Sequence, residues 1–265
     1  LSTTEDNGLF FRTAPSDARQ GEVLAQILTD QGISSVAVTY TNNDYGKGFA
    51  DAFQAAYEGM GGTITISAAH EDGKGDYSAE VGALAAAGGD ALVVLGYVDQ
   101  GGAGIIRGAL DTAAFDMFAF GDGMVGDALT DNFGGDINGA IGTAPGGDNE
   151  GAAMFQEMAT AAGIDGTSVY AGESYDAAAL ILLAMAAAGS VEPGDYAGMI
   201  EAVANAPGEP IMPGELGRAL EILAEGGEID YVGATAVELV GPGEAAGAYT
   251  QYEVVDGALS VVGYH

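Results

Sequence analysis

Residues 35–57 read SVAVTYTNNDYGKGFADAFQAAY, and the apolar period changes partway through. Ser35 to Tyr40 is a short run rich in β-branched side chains, suited to a strand. Asn42, Asn43 and Asp44 break it, and Phe49, Ala52, Phe53, Ala56 and Tyr57 then recur at helical spacing. Strand, loop and helix follow within one stretch. Upstream, Ser16-Asp17 opens a helix over about 17–31, with Val23, Leu24, Ile27 and Leu28 on one face and Gly32 as its stop. Downstream the unit repeats as strands over 63–67, 91–97 and 115–120, with helices over 77–87 and 103–110 between them. Alternation of this kind predicts an α/β fold with a doubly wound parallel sheet and right-handed crossovers.

Beyond a strand over 137–143 the character changes. Ala144-Pro145-Gly146-Gly147-Asp148-Asn149 is a Gly/Pro break, followed by helical spacing over 150–163, 174–188, 195–205 and 214–225, which reads as a second lobe. Short strands are expected around Val237, over 249–255 and over 259–262, with Asp256-Gly257 as a hairpin turn. The longest apolar stretch, Ala177 to Ala188, is too short to cross a bilayer, so no direct membrane insertion is expected. Leu1 reads as an internal position of a longer precursor.

Composition narrows the function. Six Lys and Arg against 39 Asp and Glu give a formal charge of −33, which repels phosphate backbones and anionic lipid surfaces. Nucleic-acid binding is therefore not expected; an acidic, hydrated surface suits a saline or extracytoplasmic setting. With no Cys there is no thiol chemistry. Gly101-Gly102-Ala103-Gly104 does not complete a dinucleotide fingerprint, and Asp72-Gly73-Lys74-Gly75-Asp76 lacks the alternating oxygen ligands of a calcium loop. The two His, His70 beside Glu71 in an expected loop and His265 at the terminus, offer no triad. The expectation is a binding protein, not an enzyme, with no cofactor and no metal.

In a parallel α/β sheet, ligands meet the loops outside the carboxyl ends of the strands. Three such loops carry candidates: Asn42 to Gly46 with Tyr45, Tyr97 to Asp99 with Tyr97, and Gly121 to Gly123 with Asp122. A carboxylate accepts charge-assisted hydrogen bonds from an ammonium, and tyrosine rings supply apolar walls with a hydroxyl, so the set suits a small zwitterion. From position alone the same residues also fit a packing role: Asp44 and Asp122 as loop or cap residues, Tyr45 and Tyr97 as half-buried aromatics.

Four motifs carry a family resemblance over nearly the whole chain: Phe10-Phe11-Arg12-Thr13-Ala14-Pro15-Ser16-Asp17, Asn43-Asp44-Tyr45-Gly46-Lys47-Gly48, Asp76-Tyr77-Ser78, and Gly89-Asp90-Ala91 running to Gly96-Tyr97. In order and spacing they resemble the type I periplasmic solute-binding proteins of branched-chain amino-acid (Leu/Ile/Val) ABC transporters. The resemblance implies two Rossmann-like lobes joined by three crossing strands and hinged to close on a ligand. It places residues 14–143 and 248–265 in the second lobe, and 1–13 and 146–240 in the remainder of the first, whose N-terminal part would precede Leu1. It implies ligand contacts at Tyr45, Tyr97 and Asp122, with Asp122 taking an ammonium group. It also implies a periplasmic carrier whose partners are an amino acid and the membrane permease of an ABC transporter. A ligand sensor of the same fold, for amides, aromatic acids or other small molecules, is the alternative.

Overall fold

The computed structural model describes residue 2, residues 5–241 and residues 243–265; Leu1, Thr3 and Thr4, at the start of the expected first-lobe remainder, lie outside the described residues. The chain divides into two compact units: the stretch ending at Ser16 together with Pro145–Ala248, and Asp17–Ala144 together with Tyr249–His265.

The second of these begins with α1 (Asp17–Asp30), β1 (Ser35–Thr41), α2 (Asp44–Gly59), β2 (Thr63–His70), α3 (Ser78–Ala87), β3 (Ala91–Leu95), α4 (Ala103–Asp111), β4 (Phe118–Phe120), α5 (Asp127–Phe133) and β5 (Ile141–Pro145). The intervening unit holds α6 (Glu150–Ala161), α7 (Ala171–Ala188), α8 (Pro193–Tyr196), α9 (Ile200–Ala204), β6 (Glu209–Ile211), α10 (Leu216–Ala224) and β7 (Ile229–Tyr231). The chain then returns as β8 (Tyr249–Val255) and β9 (Ala258–Tyr264), an antiparallel hairpin turning at Asp256-Gly257.

The seven-stranded sheet runs β2-β1-β3-β4-β5-β8-β9, with β1 to β5 parallel. Because side chains alternate across a strand, each buried strand feeds two cores. Val36, Val38, Ala91, Val93, Leu95 and Ala119 join α1 and α2 through Leu24, Leu28, Phe49 and Phe53. Ala37, Leu92, Val94, Phe118 and Phe120 join α3, α4 and α5 through Leu84, Ile105 and Phe133. Helices thus cover both faces. Truncating a fully buried ring such as Phe53 to Ala costs about 3–5 kcal/mol.

Several boundaries differ from the sequence reading. α2 starts at Asp44 because the Asn43 side chain accepts from Gly46 N at 2.9 Å, which places Tyr45 in the first helical turn and not in a loop. β2 continues to His70, past the expected end at residue 67, so His70 is a buried strand residue and not a loop residue. β4 keeps only Phe118–Phe120 of the expected 115–120. The strand expected around Val237 is replaced by turns, with an isolated bridge between Leu239 and Ala245.

In the unit containing α7, the sheet is a parallel pair, β6 and β7. α7 is long and apolar enough to span a membrane by length and composition, the one such helix among the described residues. It packs as a core helix: Leu180, Leu183 and Ala184 are buried with Ile200, Val203, Ile211 and Tyr231. Its Asp176 is fully buried and accepts four hydrogen bonds, from Tyr231 Oη (2.9 Å), Ala234 N (2.8 Å), Thr235 N (2.8 Å) and Thr235 Oγ1 (2.7 Å). Burial pushes the Asp176 carboxyl up against the lowering effect of those donors, and burial beside that charge raises the Tyr231 phenol.

Candidate functional site

In the larger sheet, β1 is flanked by β2 on one side and β3 on the other, so the chain's progress reverses there. Loops leaving neighbouring strands at such a switch point diverge and open a crevice beyond the carboxyl ends. Tyr45 follows β1, Tyr97 follows β3 and Asp122 follows β4, and the fold brings all three together.

Tyr45 is held by the first turn of α2 and meets Phe49, one turn on, edge to face at 6.0 Å between centroids. Its ring stacks on Tyr97 at 5.2 Å with a 27° interplanar angle. The Tyr45 hydroxyl donates to Asp122 Oδ1 at 3.0 Å and accepts from Gly123 N at 3.3 Å. Asp122 opens a 3-10 turn over Asp122–Met124 and is 7% exposed. The close approach requires glycine at 123: a Cβ there would collide with the backbone Gly96 O and would also stand 3.0 Å from Tyr97 Cδ1 and 3.2 Å from the Tyr45 hydroxyl.

Tyr97 leads into an irregular π-type turn, Val98–Gly102, kinked at Gln100 (φ −116°, ψ −114°), before α4 begins. Both tyrosines are half-buried. A buried carboxylate tied to a phenol, beside two stacked aromatic faces, is equipped to hold a small cation against an apolar wall. Asp44 and Asp99, on the same two loops, are exposed. Phe49, which buttresses Tyr45, read in sequence only as one position of a helical face; its spacing of four from Tyr45 was the available signal.

The description Periplasmic binding protein matches the chain over residues 1–219. A chemotactic signal transduction system substrate-binding protein, BasB, from Halobacterium salinarum is 24% identical over 254 residues, 94% of this chain and 59% of that protein. The chain therefore spans well under two thirds of that relative's length. Leu/Ile/Val-binding protein homolog 3 from Brucella melitensis is 39% identical over 93 residues, 35% of this chain and 25% of its own. Among solved structures, a leucine-binding protein LivK from Thermotoga maritima MSB8 superposes with a TM-score of 0.76 at 20% identity, covering 96% of this chain and 67% of that one. At that identity the structural likeness establishes the fold, whereas the family match extends through the motifs that carry Tyr45, Tyr97 and Asp122. On that match, the chain belongs to the periplasmic binding protein family, whose members are solute-binding proteins.

Proposed function

We propose that this chain is part of the extracytoplasmic substrate-binding component of an ABC transporter, and that it takes a branched-chain or related amino acid. The observation that carries this reading is the bond between the Tyr45 hydroxyl and the buried Asp122 carboxylate under the stacked Tyr97 ring. Asp122 receives the ligand's ammonium, and Tyr45 and Tyr97 wall its apolar part. In this reading the two compact units are the lobes that the sequence divides at 1–13 with 146–240 and 14–143 with 248–265. Ligand capture follows the hinge closure that the resemblance implies, shifting the population toward the closed form. A membrane permease is the delivery partner, and the periplasm or its equivalent is the compartment.

A second reading is a receptor that reports a small molecule to a signalling partner. BasB's place in a chemotactic system supports it, because BasB matches along 94% of this chain.

Calorimetric titration of the protein at its full natural length with leucine, isoleucine, valine and unrelated amino acids tests the first reading. Binding is expected for at least one branched-chain amino acid. Asp122→Ala is expected to weaken it roughly 10- to 150-fold, the equivalent of one charged hydrogen bond. Failure of all of them to bind moves the assignment to a different ligand class.

A further inference from the structure

Behind the loop that carries Tyr97, the end of β2 sets two ionisable side chains against glycine backbone. His70 is 1% exposed; its Nδ1 lies 2.9 Å from Thr39 Oγ1, and its Nε2 has no hydrogen-bond partner among the described residues. The imidazole occupies the space that side chains at Gly96 and Gly101 would need. A Cβ at Gly101 would stand 2.6 Å from His70 Cδ2, and one at Gly96 would stand 3.1 Å from Nε2. Those glycines bracket Tyr97.

Two residues further on, Asp72 reaches the same loop. Its Oδ1 accepts from Gly101 N at 3.2 Å, and its Oδ2 accepts from Thr41 Oγ1 at 2.5 Å. The last residues of β1, the end of β2 and the turn after β3 are thereby tied at one point. Tyr77 closes the other side of the imidazole, edge to face at 6.3 Å, and is itself held by donating to Glu71 O (3.0 Å) and accepting from Lys74 N (3.1 Å). The turn being held is kinked at Gln100, so its shape depends on these outside contacts more than a regular helical turn would.

We propose that His70 and Asp72 are positioning residues for the binding site, fixing the turn after β3 from behind so that the Tyr97 ring stays stacked on Tyr45. The proposal rests on the reading of Tyr45, Tyr97 and Asp122 as the ligand site. Neither His70 nor Asp72 touches the ligand in this scheme. Their effect is pre-organisation: a turn already shaped for the ligand loses less freedom on binding.

The test pairs amide hydrogen exchange with leucine titration on the full-length protein. Asp72→Ala is expected to lower protection across residues 97–102 about tenfold, with α1 and α2 unchanged, and to weaken leucine binding by a similar factor. Asp72→Asn keeps one acceptor oxygen and is expected to fall between. Gly101→Ala is expected to loosen the same segment, and His70→Ser in the same chain to restore it by vacating the space the new methyl needs. Unchanged exchange across 97–102 in Asp72→Ala, an equal rise in α1 and α2, or unaltered leucine affinity in a variant whose parent binds leucine would overturn the proposal. Local loosening in a protein whose wild type binds none of leucine, isoleucine and valine would uphold the clamp and overturn the ligand reading instead.

Discussion

The two units solve the same packing problem with different means. The unit built on α1 to α5 repeats one local motif, and its parallel strands bury alternate side chains into a core on each face. Among the described residues the unit holding α7 has a two-stranded parallel pair. There, beside an apolar core around Leu180, Leu183 and Ile200, Asp176 gathers Tyr231 at the end of β7 and the Ala234-Thr235 backbone onto α7. The α7 unit also presents Ile164, Val191 and Val240 to solvent, at 62%, 72% and 65% exposure. Repetition of βα units builds an apolar core on each face of one sheet, whereas the α7 unit sets a buried carboxylate network beside its apolar core.

That contrast can be broken most directly at Asp176. Asp176→Ala leaves the Tyr231 and Thr235 hydroxyls and two backbone amides without their acceptor, and a loss of about 3–5 kcal/mol is expected. Denaturant unfolding followed by hydrogen exchange in each unit checks it: the loss is expected in the α7 unit alone, and equal losses in both would erase the distinction. The pH response sharpens the comparison further. Burial holds the His70 imidazole below its ordinary pKa, although Asp72, Glu80 and Glu71 around it push the other way. Between its folded and unfolded pKa values the unfolded chain binds more protons, so its unit is expected to lose stability as pH falls below about 6.5. Asp176 and Glu173, raised by burial, act oppositely in the α7 unit. Their contribution is complete below the unfolded carboxyl range of about 4 and is lost as pH rises through their folded values. Hydrogen exchange at pH 7.5 and 5.5 is expected to show destabilisation local to the His70 unit, absent in His70→Gln.

The smallest expected contrast concerns salt. Nineteen acidic against two basic residues leave −17 on the α7 unit, and twenty against four leave −16 on the other. Screening this self-repulsion is expected to raise both melting transitions by similar amounts between 0.05 and 1 M salt. A rise confined to one unit would show that its charges are arranged, not merely numerous.

What the sequence made legible follows the same division. Strands β1 to β3 announced themselves through β-branched runs between helical faces, β4 through its aromatic side chains, and β5 lies at Ile141–Pro145 where a strand over 137–143 was expected; the site loops followed because ligands collect at strand ends. α5 was missed because Asp127–Phe133 is short and polar, with an apolar side chain at only a few positions. β6 and β7 were missed because each is three residues long, with Pro210 inside β6, too short to show a periodicity. The helix expected over 195–205 is divided into α8, a 3-10 turn and α9. The strand expected around Val237 is absent because Val237, though buried, donates its N–H to Val232 O within a turn. The bond from Tyr45 to Asp122 spans 77 positions, and Asp72 meets Gly101 across 29; such pairings leave no local periodicity.

The hairpin of β8 and β9 has a kinetic consequence. These strands close the sheet beside β5, with Gly139 N bonding to Val254 O at 2.8 Å and Val254 N to Ala140 O at 2.9 Å. On the ribosome, β5 emerges more than a hundred residues before its partner, so the nascent sheet waits with an open edge while the α7 unit is made. Loop closure over that separation is slow, and an unpaired edge is a template for intermolecular pairing. Completion of this sheet thus waits for residues 249–264, which are made only after residues 146–248.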